Sequence, residues 1–149
     1  MFQRHLSFEI NRFRLAVSLW SKPKYDGLAD AMIRESCLIH MRLLLDFFYP
    51  RINPKRQTKY EDIFVTDFLP DKTQLRREFQ TLLAKPLWLQ AYRDQLDWRL
   101  AHLTMKRLDF EKNPIWQPEK QFEHLEQLIC EFISALPETT RSLYNPRQQ

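Results

Sequence analysis

Four histidines are the side chains of this chain best suited to proton transfer near neutral pH: His5, His40, His102 and His124. Two of them, His40 and His102, lie inside stretches that are otherwise apolar. An imidazole inside a helical core costs desolvation energy unless it finds a hydrogen-bond partner. The two histidines therefore predict either two satisfied core side chains or one shared polar site.

Arginines close to these histidines along the chain suit the binding of a phosphate. Arg42 follows His40 by two residues, and Arg99 precedes His102 by three. In metal-independent RNA cleavage a histidine moves the proton of the 2′-hydroxyl, and a guanidinium stabilises charge on the phosphorus. We therefore expect His40 and His102 to come from two adjacent helices and to share a pocket with Arg42 or Arg99. The alternative for Arg42 is a surface ion pair with Asp46.

Composition argues against several other chemistries. One glycine in 149 residues excludes the glycine-rich turns that bind dinucleotides and nucleotide phosphates, and also the G-x-S-x-G elbow of serine hydrolases. Cys37 and Cys130 form no C-x-x-C pair, and Cys37 lies among apolar residues, where a thiol is usually inert. Neither His40 nor His102 has a further metal ligand four residues on. We expect no metal and no cofactor.

Positive charge is concentrated in the first part of the chain. Residues 1–60 carry 11 Lys and Arg against 5 Asp and Glu. Basic side chains that could contact nucleic acid or a partner protein are Arg34, Arg51, Lys55, Arg56 and Lys59. The alternative is that the basic and acidic halves of one bundle neutralise each other.

The spacing of apolar residues and prolines predicts a single-domain, all-α bundle of four to five helices. The predicted helices cover 2–20, 27–49, 71–84 (or 73–84), 87–108 and 118–136. The helix over 27–49 is apolar on more than one face, so we expect it to be the most buried. A long connector spans about 50–70, in which 62–69 could form a short extended piece. The bundle domain covers 1–137, and 138–149 read as a flexible polar tail.

Arg34 and His40 fit the R-x4-6-H spacing of HEPN domains, which the chain therefore resembles. The order of its segments IHMRLLLDFFY, VTDFLP and AHLT also resembles a group of short bacterial proteins of unassigned function. HEPN proteins are helical and include many ribonucleases of bacterial toxin and phage-defence systems. The resemblance implies an HEPN-like bundle in a toxin–antitoxin or defence-type system.

Three functions follow from these observations. The first is a binding or regulatory subunit that contacts RNA or a partner protein. The second is a metal-independent endoribonuclease of the HEPN type, and the third is a purely structural bundle. The 20 aromatic residues are many for a bundle of this size, so we expect an interface patch and a homodimer or heteromeric complex. No apolar run is long enough for a membrane span, and we expect a cytoplasmic protein.

Overall fold

The computed structural model describes residues 2–20, 27–50, 64–69, 75–101 and 119–144. Those residues contain no strand, and they form seven α-helices and one 3-10 turn. The elements are α1 (Phe2–Trp20), α2 (Gly27–Phe48), α3 (Val65–Phe68), α4 (Arg77–Leu83), α5 (Leu89–Ala101), α6 (Glu119–Ala135), α7 (Glu138–Arg141) and the turn Ser142–Tyr144. The all-α prediction is confirmed. The count exceeds four to five because α3 and α7 are single turns.

Helices α1 and α2 form an antiparallel hairpin. Glu9 of α1 contacts His40 of α2, and Trp20, at the other end of α1, contacts Arg34. One side of α1 buries Ile10 in the core. The apolar residues of α2 on two of its faces are buried together, and α2 contributes more buried side chains than α6 does. Pro50 follows this helix, where a proline cannot continue it.

Helix α6 closes the core beneath the hairpin. Its apolar stripe is buried over Phe122, Leu125, Leu128, Ile129 and Phe132, as the sequence predicted for a single-stripe helix. The Phe132 ring makes edge-to-face contacts with aromatic rings of α2, α3 and the 3-10 turn. A bidentate ion pair between Arg14 and Glu126, with 2.5 Å from Nη2 to Oε1, joins α1 to α6.

Two of the predicted elements differ in the structure. Within 62–69, where the sequence suggested an extended piece, residues Val65–Phe68 form a helical turn. The Asp67 carboxylate accepts the Phe64 N–H at 2.7 Å, and this local hydrogen bond outweighs the β preference of the apolar residues. The predicted third helix begins later, at Arg77. The helix predicted over 87–108 is described over Leu89–Ala101, and its remainder lies outside the described residues.

The first part of the predicted polar tail packs against the bundle. After Pro137 the chain forms α7 and the 3-10 turn. Ser7 Oγ of α1 donates a hydrogen bond to the Leu143 carbonyl at 2.6 Å, and the Tyr144 ring is buried. Arg141 donates to the Leu136 carbonyl at 2.8 Å and so fixes the end of α6. Residues 145–149 lie outside the described residues.

Candidate functional site

His40 lies on the side of α2 that faces α1. Its Nδ1 is 2.5 Å from Glu9 Oε2, and the two side chains are largely shielded from solvent. The Phe8 ring stands edge-on to the imidazole, with 6.3 Å between centroids. The imidazole therefore has the hydrogen-bond partner that a histidine inside a bundle needs, and the partner is a carboxylate from the neighbouring helix.

Arg42 faces α5 instead of α1. Its Nε is 3.1 Å from Asp97 Oδ1, so the expected alternative, an ion pair with Asp46, is wrong. Residues two positions apart point about 200° away from each other on a helix. Arg42 and His40 therefore face different helices, and the structure does not bring them into one pocket.

Arg34 turns toward the start of α2. Its Nε is 2.6 Å from Asp30 Oδ2, and its guanidinium lies 4.8 Å from the centre of the Trp20 ring. Arg34 and His40, the pair that carried the HEPN-like spacing, thus have separate partners.

The remaining sequence candidates lie outside the described side chains. These are His102, the side chain of Arg99, and the basic cluster Arg51, Lys55, Arg56 and Lys59. The contact of Arg42 with Asp97 does place α5 beside α2, so the helices that lead to His40 and His102 are neighbours. A pocket shared with His102 stays a prediction.

A polar network that sequence reasoning missed occupies the C-terminal end of α2, and we call it the α2 C-terminal network. Arg93 of α5 is 2% exposed and is the centre of it. Its Nη2 donates to the Leu45 carbonyl and to Asp46 Oδ1, both at 3.0 Å, and to the Tyr49 carbonyl. The Tyr49 N–H already donates to the Leu45 carbonyl at 2.9 Å, and the buried guanidinium adds a second donor there and a donor to the Tyr49 carbonyl beyond the end of the helix.

The Tyr49 hydroxyl extends this network to two further helices. It donates its one hydrogen to the Leu82 carbonyl at 2.5 Å, because a carbonyl oxygen can only accept. His124 Nε2, 2.7 Å from the same oxygen, therefore carries the proton and donates. The Trp88 ring stands edge-on to His124 at 5.2 Å. Burial lowers the pKa of His124 and raises the pKa of Tyr49, so both groups are held neutral.

A cleft of about 770 Å³ lies between α4 and α6. Four carboxylates, from Glu78, Glu123, Glu126 and Glu131, line it together with Leu82 and the exposed Cys130. Three of these carboxylates pair with Arg14 or Arg76, and no described Lys or Arg lines the cleft, so it offers a phosphate no cationic ligand. Among the residues that the structure describes there is no group of three or more side chains placed to hold a metal ion.

A surface that we call the outer face lies on the side of the hairpin opposite the core. Six large apolar side chains there are 42–75% exposed: Phe8 and Leu15 of α1, and Leu28, Met32, Ile39 and Leu43 of α2. The core-facing residues Phe13 and Met41 are at most 1% exposed, which fixes the direction of the core for both helices. Contiguous apolar surface of this kind on a monomer usually marks an interaction site.

The sequence carried a signal for the outer face that its interpretation did not use. The apolar residues of α2 lie on more than one face, and those from Cys37 to Phe48 are buried on two of them, but Leu28, Met32, Ile39 and Leu43 form a third line that stays exposed. The α2 C-terminal network has no comparable signal, because its contacts join residues more than 30 positions apart.

Comparison of the chain with protein-family models, with curated proteins and with solved structures finds no match. In the described ranges no helix combines the length and the apolar character needed to cross a membrane.

Proposed function

We propose that this protein is a non-catalytic binding subunit that contacts a partner protein through the outer face, in a homodimer or a heteromeric complex. The observation that carries the proposal is the exposure of six large apolar side chains on one side of the α1–α2 hairpin. Exposure of such side chains costs the folded chain little stability. Their removal from water by a partner contributes favourable free energy of binding.

The partners of two predicted catalytic residues, and of the predicted contact residue Arg34, favour binding over catalysis. His40, Arg42 and Arg34 each pair with a carboxylate of the bundle. A paired guanidinium has part of its charge and donor capacity already engaged, so it is a weaker ligand for a substrate phosphate. The acidic cleft between α4 and α6 adds no phosphate site.

The resemblance to HEPN-like proteins supports placing this binding role in a bacterial toxin–antitoxin or defence-type system. In such systems a helical protein of this size can act by contact with another component. A metal-independent endoribonuclease is the competing function, since His102 could move the proton of the 2′-hydroxyl and Arg99 could stabilise charge on the phosphorus.

The test compares the wild-type chain with a Phe8→Asp/Leu15→Asp variant and with a matched Leu87→Asp control. Leu87 is fully exposed, and it lies on the turn before α5, away from the outer face. Tagged proteins are used to capture partners, including a second tag-free copy of the chain, and binding is quantified by mass spectrometry. We expect the outer-face variant to lose its partner and the Leu87 variant to keep it.

A parallel assay addresses the competing function. The purified protein is incubated with total RNA in EDTA, beside a His102→Ala variant. We expect intact RNA with both proteins. RNA cleavage by the wild type that His102→Ala abolishes would replace the proposal with the ribonuclease function, and equal partner capture by all variants would remove the role of the outer face.

A further inference from the structure

The exposed apolar residues of α2 have a symmetric spacing. Leu28, Met32, Ile39 and Leu43 are separated by four, seven and four residues. Leu28 and Leu43 are therefore equidistant from the midpoint between Glu35 and Ser36, and so are Met32 and Ile39. A stripe with this property matches itself when it is laid on a second copy in the opposite direction.

The exposed residues of α1 are centred at nearly the same level along the hairpin as those of α2. Phe8 and Leu15 are equidistant from a midpoint next to Arg12. The contact between Glu9 and His40 fixes the level of one antiparallel helix against the other, and it sets this midpoint within one turn of the midpoint of the α2 stripe. The symmetry of both helices is thus compatible with one two-fold axis across the hairpin.

We infer that the partner of the outer face is a second copy of this chain, packed with α2 antiparallel to α2 and α1 antiparallel to α1. This inference rests on the proposed function and names its partner. The two-fold axis places Leu28 on the second copy's Leu43, Met32 on its Ile39 and Phe8 on its Leu15. Each of the six exposed apolar residues then covers another one, as an isologous interface requires.

The size of the face agrees with a stable dimer. Six large side chains that are 42–75% exposed leave on the order of 500 Å² of apolar surface on each copy. A standard interface buries roughly 800 Å² per partner, of which about 60% is apolar. Polar residues between the six side chains supply the remainder.

The charged residues near the axis balance in sign. Arg12 lies 5.1 Å from the centre of the Phe8 ring, at the middle of α1, and Glu35 lies at the middle of α2. Two copies bring two arginines and two glutamates to the centre of one apolar interface. The interface therefore has no net charge there, which avoids the repulsion that a face of single sign would meet in a self-association.

The first test measures the mass of the full-length chain by analytical ultracentrifugation over a wide range of concentration. We expect the wild type to sediment as two chains. Ile39→Glu buries a carboxylate against Met32 of the second copy, so it should weaken the dimer by on the order of 100-fold in Kd. Leu87→Glu, which adds the same charge away from the face, should leave the dimer unchanged. Circular dichroism checks that all three proteins are folded.

The second test fixes the direction of pairing by disulfide cross-linking in a Cys130→Ser background. Cys37 is buried, and burial raises the pKa of its thiol to about 12, so we expect no cross-link through it. A mixture of Leu28→Cys chains with Leu43→Cys chains should form cross-linked dimers. Leu28→Cys alone should not, because antiparallel packing separates the two copies of position 28 by about 22 Å along the helix.

The outcomes separate this inference from the proposed function. Cross-linking of Leu28→Cys with itself, or no cross-linking in the mixture, would overturn the antiparallel pairing. A wild type that stays a single chain at every concentration would overturn the dimer, and if the outer-face variant then still loses a different partner, the proposed function stands without it. A dimer that Ile39→Glu does not weaken would place the contact elsewhere.

Discussion

Two regions of α2 depart from the usual burial of side chains. Its C-terminal end contacts a buried charged group, whereas its outer face exposes large apolar side chains. At the C-terminal end a guanidinium, that of Arg93, is 2% exposed. On the outer face Leu28 is 75% exposed. The buried charge is tolerated because two backbone carbonyls and a carboxylate accept from its Nη2, whereas an exposed leucine is tolerated because solvent contact costs the fold little.

This contrast separates architecture from function. The acceptors of the α2 C-terminal network all belong to this chain: carbonyls of two helices and a carboxylate accept from Arg93 Nη2 and the Tyr49 hydroxyl. The outer face leaves six large apolar side chains 42–75% exposed, and in our proposal a second molecule covers them. Substitutions in the network should therefore change stability, and substitutions on the face should change association.

The largest loss of stability is expected for Arg93→Met. The substitution removes the donors to the Leu45 and Tyr49 carbonyls and leaves Asp46 without this partner. Asp46 is 36% exposed and stays hydrated, but three hydrogen bonds from a buried charged donor are lost, and at about 1.5–3 kcal/mol for such a bond we expect the free energy of unfolding to fall by at least about 3 kcal/mol. Urea denaturation monitored by circular dichroism measures this change in the free energy of unfolding. A loss below about 1 kcal/mol would show that the network does not stabilise the fold.

A smaller loss is expected for Tyr49→Phe. The variant keeps the ring but removes the hydroxyl that donates to the Leu82 carbonyl and accepts from His124. A buried group left without its partner costs about 1–3 kcal/mol. Tyr92→Phe is the matched control, because that hydroxyl donates to the Met41 sulfur, a weak acceptor, and its removal should cost less. Equal losses in the two variants would contradict the assignment.

The stability of the network should also depend on pH through His124. Burial lowers the pKa of this imidazole below its ordinary 6.5, so in mildly acidic solution the unfolded chain binds a proton that the folded protein does not. Stability is then full above about pH 6.5 and falls as the pH drops below it, by less than about 1.4 kcal/mol per pH unit. His124→Gln should flatten this part of the profile in thermal denaturation. An unchanged slope would exclude His124 as its source.

The smallest change in stability is expected on the outer face. Leu15→Ser replaces a half-exposed side chain, and surface substitutions usually change the free energy of unfolding by less than about 0.5 kcal/mol. Phe13→Ala, two residues away and facing the core, should cost about 3–5 kcal/mol. Both values come from denaturation at a concentration where the chain is monomeric. A large loss for Leu15→Ser would mean that the face belongs to the core.

The sequence predicted the features that depend on the residues of one helix alone. The bounds of α1 and α2 follow from apolar periodicity and from Gly27 and Pro50, and the buried stripe of α6 from its spacing. Within 62–69 the structure has a helical turn where the sequence suggested an extended piece. The hydrogen bond from the Phe64 N–H to Asp67 favours the turn over the β conformation that the apolar residues prefer.

The site was less predictable than the fold. The partners of His40 and Arg42 depend on which helix each face of α2 meets, and periodicity does not identify the neighbour. Nothing in the sequence distinguishes Arg93 from the other basic residues on the predicted helices. Its role becomes visible when the fold brings α5 to the end of α2, across more than 40 positions of the chain. The prediction for His102 remains open to the RNA assay.

The Arg93 contacts also bear on the order in which the chain folds. The Leu45 and Tyr49 carbonyls gain the Arg93 donor only when α5 docks, so we expect the end of α2 and the helix α5 to become stable together. Opening of α5 in the folded protein then releases the end of α2 as well. The two segments behave as one cooperative unit, and their amide hydrogens should exchange with solvent at a common rate.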